Sequence, residues 1–327
     1  MEVKQAKITS VGHYLPEFRM TNFELEKLMD TNDEWIRSRT GISERRILKD
    51  PDKATAFMGA EAAKEALKNA NLDAADLDLI IVATVTPDFM FPATACLVQN
   101  MIGATNAFAF DLSAACSGFL YALSTGSMYI ESGRAKKVLV IGADKMSSIL
   151  DYTDRTTSIL FGDAVLLEES TDGTGLIDQI HYTEGDTNCS LYQHAGGSRY
   201  PATKETVENK QHNITQDGRA VFKKATVGMA DVSLEIMKKN NLDAEDVAWL
   251  VPHQANLRII DATANRMGLS SDKVMINIDK YGNTTSATIP LCLYDWQDKL
   301  NYGDNLILAA FGGGFTWGAI YLKWGIK

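Results

Sequence analysis

The chain of 327 residues has only four cysteines, five histidines and seven prolines, and it lacks a basic excess. Its 32 Lys and Arg stand against 42 Asp and Glu, a formal charge of −10. A general nucleic-acid binder needs a basic face, so that class is disfavoured, although one local basic patch is not. Cys96, Cys116, Cys189 and Cys292 form no C-x-x-C pair, and none is spaced from a histidine as in a zinc site. No metal is therefore expected, and no disulfide framework is expected in so large a chain without a signal peptide. Neither GxxxxGK[ST] nor a strand followed by GxGxxG occurs, which weakens phosphate-loop readings.

The start, "MEVKQAKITSVGHYLPEF", lacks the apolar stretch of a secretory signal, so a cytoplasmic protein is expected. Residues 112–130 are uncharged and reach membrane-spanning length. Seven of them are Ser, Thr or Gly, and charged residues flank both ends. A helix buried in a globular body accounts for them better, and no membrane partner is expected.

What the chain does have is an internal repeat. "KEALKNANLDAADLDLIIV" from Lys64 and "LEIMKKNNLDAEDVAWLVP" from Leu234 both read as helix, turn N-L-D-A-x-D, then apolar strand. Downstream, "AFDLSAACSGF" pairs with "NIDKYGNTTSAT", each read as a strand ending in Asp111 or Asp279, a turn and a helix start. "VLVIGAD" at 138–144 then pairs with "LILAAFG" at 306–312. Continuous apolar strands alternating with helices imply sheets covered on both faces. The expectation is an α/β body of two pseudo-symmetric halves, residues 1–175 and 176–327.

The repeat brings Cys116 and Asn283 to corresponding turn-to-helix junctions, with His253 just after a strand of the second copy. Such strand ends and helix starts are where α/β folds usually bind ligands. A cysteine on an apolar segment is ordinarily core filler, and that reading is given to Cys96 and Cys292. Cys116 differs, because free N–H groups and the positive helix end favour thiolate and its neighbours are small. A nucleophile is as good a reading there as a filler. His253 alone reads as a structural histidine, but His13, His181, His194 and His212 lie in polar or turn-like stretches, which leaves His253 the best-placed candidate. Asn283 alone reads as a helix cap. Gly312, Gly313 and Gly314 read either as a tight hairpin or as backbone N–H groups close to a reacting carbonyl oxygen.

"DLSAACSGF", "VPHQANLRII", "GNTTSAT" and "AFGGGFTWG", with "TNDEWIRSRTGI" and "DRTTSILFGDAV", resemble the β-ketoacyl-[acyl-carrier-protein] synthase III family over essentially the whole chain. The resemblance implies a thiolase-like fold, two βαβαβαββ halves in a five-layered αβαβα body. It implies an acyltransferase that initiates type II fatty acid synthesis by condensing an acyl-CoA with malonyl-ACP (ACP, acyl carrier protein). A related starter-unit enzyme of a polyketide or other specialised pathway is the alternative. A papain-type thiol enzyme also uses Cys, His and Asn but has no tandem repeat. A thiolase would be expected to have a second catalytic cysteine, which "AFGGGFTWG" lacks.

By the same resemblance, Cys116 is the acylated nucleophile, while His253 and Asn283 donate hydrogen bonds to the malonyl thioester oxygen. The N–H groups of Cys116 and Gly313 form the oxyanion hole. Trp35 and Arg39, four apart on one helix face, and Arg155 bind CoA, with Trp35 and Arg155 on either side of the adenine. Phe91, reaching across a homodimer, and Phe161 bound the acyl pocket. Lys223 and Arg258, with Lys224 and Arg266 nearby, form the patch for acidic ACP. No cofactor is implied. "ITQDGRAVFK", with Gln216 and Arg219, departs from the family pattern near the pantetheine tunnel, and residues 181–213 are expected to cap that tunnel.

Overall fold

The computed structural model describes residues 4–152 and 161–327, with Phe161 described by its backbone alone. The chain runs through β1 (Gln5–Tyr14), β2 (Phe18–Thr21), α1 (Asn22–Leu25), α2 (Asp33–Thr40) and β3 (Glu44–Ile47). α3 (Thr55–Ala70), β4 (Leu79–Ala83), α4 (Thr94–Ile102), β5 (Phe108–Leu112) and α5 (Gly118–Glu131) follow. β6 (Lys137–Asp144) and β7 (Phe161–Ser170) close a mixed sheet of order β1-β7-β6-β4-β5.

The remaining chain contains β8 (Gly175–Thr183), β9 (Leu191–Gln193), α6 (Lys204–Glu208) and β10 (Ile214–Gln216). Next come α7 (Gly218–Lys239), β11 (Trp249–Pro252), α8 (Leu257–Met267) and α9 (Ile278–Tyr281). α10 (Thr288–Trp296), β12 (Asn305–Gly312) and β13 (Thr316–Lys323) complete a second sheet of order β11-β12-β13-β8.

Alternation along the strands divides the core. Leu79, Ile81 and Ala83 of β4 face a central cluster, while Ile80 and Val82 face α3. In β12, Leu306, Leu308 and Ala310 face the same central cluster, and Ile307, Ala309 and Phe311 face α7 and α8. α5 and α10 fill that centre with Phe119, Leu123, Ile289 and Leu293. The layers are therefore α3 and α4, first sheet, α5 and α10, second sheet, α7 and α8. Both sheets are buried on both faces, which is why their strands are apolar at successive positions. The uncharged 112–130 run is largely α5, and no described helix is long and apolar enough to cross a membrane.

The repeated turn has one physical basis. Asn71 and Asn241 take left-handed φ of 51° and 53°, which asparagine tolerates well. The following aspartates bind backbone: Asp73 accepts from Ala75 N, and Asp246 from Asp243 N. One expected strand is missing. The segment before α9 makes a single parallel bridge, Leu250 to Val274, and no strand runs to Asp279. Asn277 leaves the ladder there, its N–H donating to Gln254 Oε1 and its amide to Asp295.

Candidate active site

The corresponding turns of the two sheets' central helices meet in the middle. Ala115–Ser117 and Thr285–Ala287 are 3-10 turns that lead into α5 and α10. Ala115 and Thr285 both have left-handed φ, 47° and 52°, a costly conformation for non-glycine residues and especially a β-branched one. These matching angles align Cys116 with Ser286, not with Asn283. Asn283 lies three residues earlier, opposite Ser113.

Each turn is held by the other sheet. A Cβ on Gly312 would lie 2.8 Å from Cys116 N, 2.9 Å from Ser117 N and 3.0 Å from Ala114 O, so only glycine lets β12 approach this closely. A Cβ on Gly142 in β6 would likewise meet Ser286 O at 2.6 Å. Thr316 fastens the cysteine turn, its hydroxyl donating to Ala114 O at 3.0 Å and its carbonyl accepting from Ser117 Oγ at 2.9 Å. Ser286 Oγ lies within hydrogen-bond distance of both Ala83 O and Asp144 Oδ2, each at 2.9 Å. These contacts supply the over-determination that a strained backbone needs.

Above the turns lies a cavity of about 660 Å³. Cys116, His253, Asn283 and Gly313 line it, as do Trp35, Met146, Ile149 and Leu150. Cys116 is partly exposed to this space. Burial, then the Asp144 carboxylate, push its thiol up to about 12, against its own N–H and the Asn283 side chain, which pull it down. The expected thiolate is thus not the resting form, because desolvation outweighs the positive helix end. Asn283 Oδ1 accepts from Thr285 N at 2.9 Å, which fixes the amide with its NH2 as the group left to donate.

His253 follows β11, and its N–H donates to Ala309 O at 2.8 Å. The ring is buried, and that burial lowers its pKa to about 3, so the imidazole is neutral. Nδ1 lies 2.7 Å from Thr288 Oγ1, and Nε2 has no partner among the described residues. The rest of "HQAN" is scaffold. Gln254 Nε2 donates to Pro252 O and Met275 O. Asn256 caps α8 by accepting from Arg258 N, and its amide donates to Arg39 O.

The other expected positions divide. Trp35 lines the cavity, and the Arg39 guanidinium lies 5.8 Å from its ring centroid, as four-residue spacing on α2 requires. Leu191, Tyr192 and Gln193 of the 181–213 run line the cavity too, as do Ile214 and Gln216 just beyond it. Lys223 on α7 and Arg258 on α8 are exposed, and neither pairs with a carboxylate among the described residues. Arg258 lies over the Phe222 ring at 4.7 Å. Lys224 and Arg266 are instead engaged with Glu184 and Asp231. Phe91 is 86% exposed and is absent from the cavity wall of its own chain. Arg155 and the Phe161 side chain lie outside the described residues.

Two assignments differ. His13 and His181 sit not in turns but in β1 and β8, the edge strands of the two sheets, paired with Glu65 and Ser124. Cys96 is exposed on α4 and is no core filler, since the apolar stripe of α4 falls on Ala95 and Val98. The Gly312–Gly314 run joins β12 to β13, as its hairpin reading has it, and Gly313 and Gly314 line the cavity. Gly142, Asp144, Ser286, Thr288 and Thr316 were missed.

Residues 110–185 match the family model described as 3-oxoacyl-[acyl-carrier-protein (ACP)] synthase III, and residues 237–324 match that of its C-terminal part. The chain is 60% identical over 327 residues to β-ketoacyl-[acyl-carrier-protein] synthase III of Chlorobium chlorochromatii, covering 98% of this chain and 99% of that one. It is 58% identical to the protein of the same name from Chlorobium phaeovibrioides, with the same coverage. Among solved structures, 3-oxoacyl-[acyl-carrier-protein] synthase III from Aquifex aeolicus superposes with a TM-score of 0.89 at 44% identity, covering 98% of this chain and all of that one.

Proposed function

The chain belongs to the β-ketoacyl-[acyl-carrier-protein] synthase III family, with its thiolase-like fold, and from that premise we propose how Cys116, His253 and Asn283 divide its reaction. It is an acyltransferase that condenses an acyl-CoA starter with malonyl-ACP, the initiating step of fatty acid synthesis. The observation that carries the assignment is the meeting of these three side chains and Gly313 in one cavity.

In the first half-reaction, Cys116 sulfur bonds to the acyl carbon of the acyl-CoA. The C–S bond to CoA breaks, and the thiol proton ends on the departing CoA. The N–H groups of Cys116 and Gly313 receive the tetrahedral oxyanion. Malonyl-ACP then binds, and Nε2 of His253 and the Asn283 amide donate to its thioester oxygen. The bond to the carboxylate breaks, its electron pair forms the enolate, and carbon dioxide leaves. The enolate carbon bonds to the acyl carbon, the bond to Cys116 breaks, and a solvent proton restores the thiol. Donors rather than a base serve this step, because nothing is deprotonated at the malonyl carbon. The residues themselves suffice, and no cofactor enters.

Trp35 and Arg39 on α2 offer the CoA adenine a stacking surface, with Arg155 on its other face and Phe161 assigned to the acyl pocket. The uncovered cations Lys223 and Arg258 suit an acidic carrier, despite the net charge of −10. β5 is a sheet edge, and Phe89, Met90 and Phe91 project into solvent beside it, which supports a homodimer across that edge with Phe91 entering the partner's pocket. The division into halves 1–175 and 176–327 is supported by one sheet ending with β7 at Ser170 and the other opening with β8 at Gly175, and a cytoplasmic location suits ACP-dependent chemistry. The test is the mass of ACP after malonyl-ACP is incubated with enzyme and acyl-CoA. The reading requires 3-oxoacyl-ACP and ping-pong kinetics. Malonyl-ACP left intact with every acyl-CoA would overturn it.

A further inference from the structure

We propose that Thr288 is a positioning residue: its hydroxyl donates to Nδ1 of His253 and so holds the ring proton on Nε2, facing the cavity. The inference rests on the donor role given to His253 above. It begins from two polar groups that the mechanism leaves unexplained. Thr288 is fully buried in the first turn of α10, yet its Oγ1 lies 2.7 Å from the imidazole. Nε2 is buried and has no partner among the described residues.

Thr288 has one hydroxyl proton and two acceptors in reach, Nδ1 at 2.7 Å and Thr285 O at 3.2 Å. A helical threonine ordinarily donates to the backbone one turn back, here Thr285 O. That arrangement would need Nδ1–H to donate to Oγ1, leaving a bare lone pair on Nε2. Two observations favour the other arrangement. The contact to Nδ1 is the shorter by half an ångström. The Asn283 amide, with Oδ1 committed to Thr285 N, presents only N–H to the same space. Two donors then converge where a thioester oxygen needs them, whereas a lone pair on Nε2 would repel it. Burial keeps the ring neutral, so it has a single proton to place. The branched Cβ of Thr288 restricts its rotamer, which keeps the hydroxyl aimed at the ring.

Two measurements on the full-length enzyme test this. The first is the 15N spectrum of protein labelled at histidine, with His253→Gln to assign the resonance. The proposal requires a protonated Nε2 and an unprotonated, hydrogen-bonded Nδ1; a wild-type Nδ1–H overturns it whatever the activity. The second separates the half-reactions in Thr288→Val, a near-isosteric change, and Thr288→Ser. In Thr288→Val, condensation of preformed acyl-enzyme with malonyl-ACP should fall about 10²-fold, the cost of a lost oxyanion donor, while acylation stays within roughly twofold. Thr288→Ser should restore condensation and the Nδ1 resonance. Equal losses in both half-reactions, or none in Thr288→Val, would contradict the assignment. Failure of the wild type to condense would instead remove the proposed mechanism and leave the spectrum to decide the tautomer.

Discussion

Replacing Gly312 by alanine tests whether the second sheet positions the nucleophile of the first. The added Cβ would sit 2.8–3.0 Å from three backbone atoms of the 114–117 turn, and backbone cannot rotate aside as a side chain can. The turn must retreat by several tenths of an ångström from β12, the strand that leads into Gly313. Overpacking of this kind costs about 1–3 kcal/mol of stability. The larger consequence is catalytic, because misplacing reacting groups by ~1 Å costs on the order of 10²-fold. Gly142→Ala is the matched control, since its Cβ would strike Ser286 O at 2.6 Å and Ala287 N at 3.1 Å, in the turn that has no reacting atom. Both variants should lower the denaturation midpoint. Only Gly312→Ala should slow acylation, by roughly 10-fold for a shift of about half an ångström, in a quenched reaction read by intact mass. Wild-type acylation in Gly312→Ala, or equal slowing in both, would refute the reasoning.

Reversing Lys223 and Arg258 to Glu should raise the KM for malonyl-ACP while leaving acyl-CoA loading intact; equal effects on both steps would exclude a carrier-specific patch. Trp35→Ala should raise the KM for acyl-CoA severalfold with little change in kcat for condensation, as measured with a saturating starter. His253 gives a pH signature. Its folded-state pKa of about 3 lies below the ordinary 6.5, so the unfolded chain binds the extra proton between them. Stability from this group is present above pH 6.5 and is lost on acidification, by about 1.4 kcal/mol per pH unit down to about 3. His253→Gln should remove that slope from urea denaturation curves at pH 7, 6 and 5, and identical slopes would contradict a buried neutral ring.

The layers were legible because burial on both faces writes itself into strands as unbroken apolar runs, as in "LIIVA" and "LILAAF". The N-L-D-A-x-D turn was legible because asparagine takes the left-handed position in both copies and an aspartate of each turn, Asp73 or Asp246, accepts from its backbone. Cys116, His253 and Asn283 stood out through residue type and position at strand ends. The supports around them did not. Thr288, Thr316 and Asp144 act through contacts between segments up to about 200 residues apart, such as Thr316 with Ala114, which no local pattern encodes. Gly312 looked like a turn glycine, whereas its requirement comes from another segment's backbone 2.8 Å away. The register linking Cys116 to Ser286 required the paired φ angles of Ala115 and Thr285. The lost edge strand before Asp279 escaped notice because its sequence, "VMINI", is apolar enough to be one.

The most direct test of the central claim is intact mass after incubation with acyl-CoAs from acetyl to octanoyl, without malonyl-ACP, for wild type beside Cys116→Ala. The account predicts a gain of one acyl group on the wild type, mapped to the peptide containing Cys116 and absent from the variant. No gain with any acyl-CoA, or the same gain in Cys116→Ala, would contradict it.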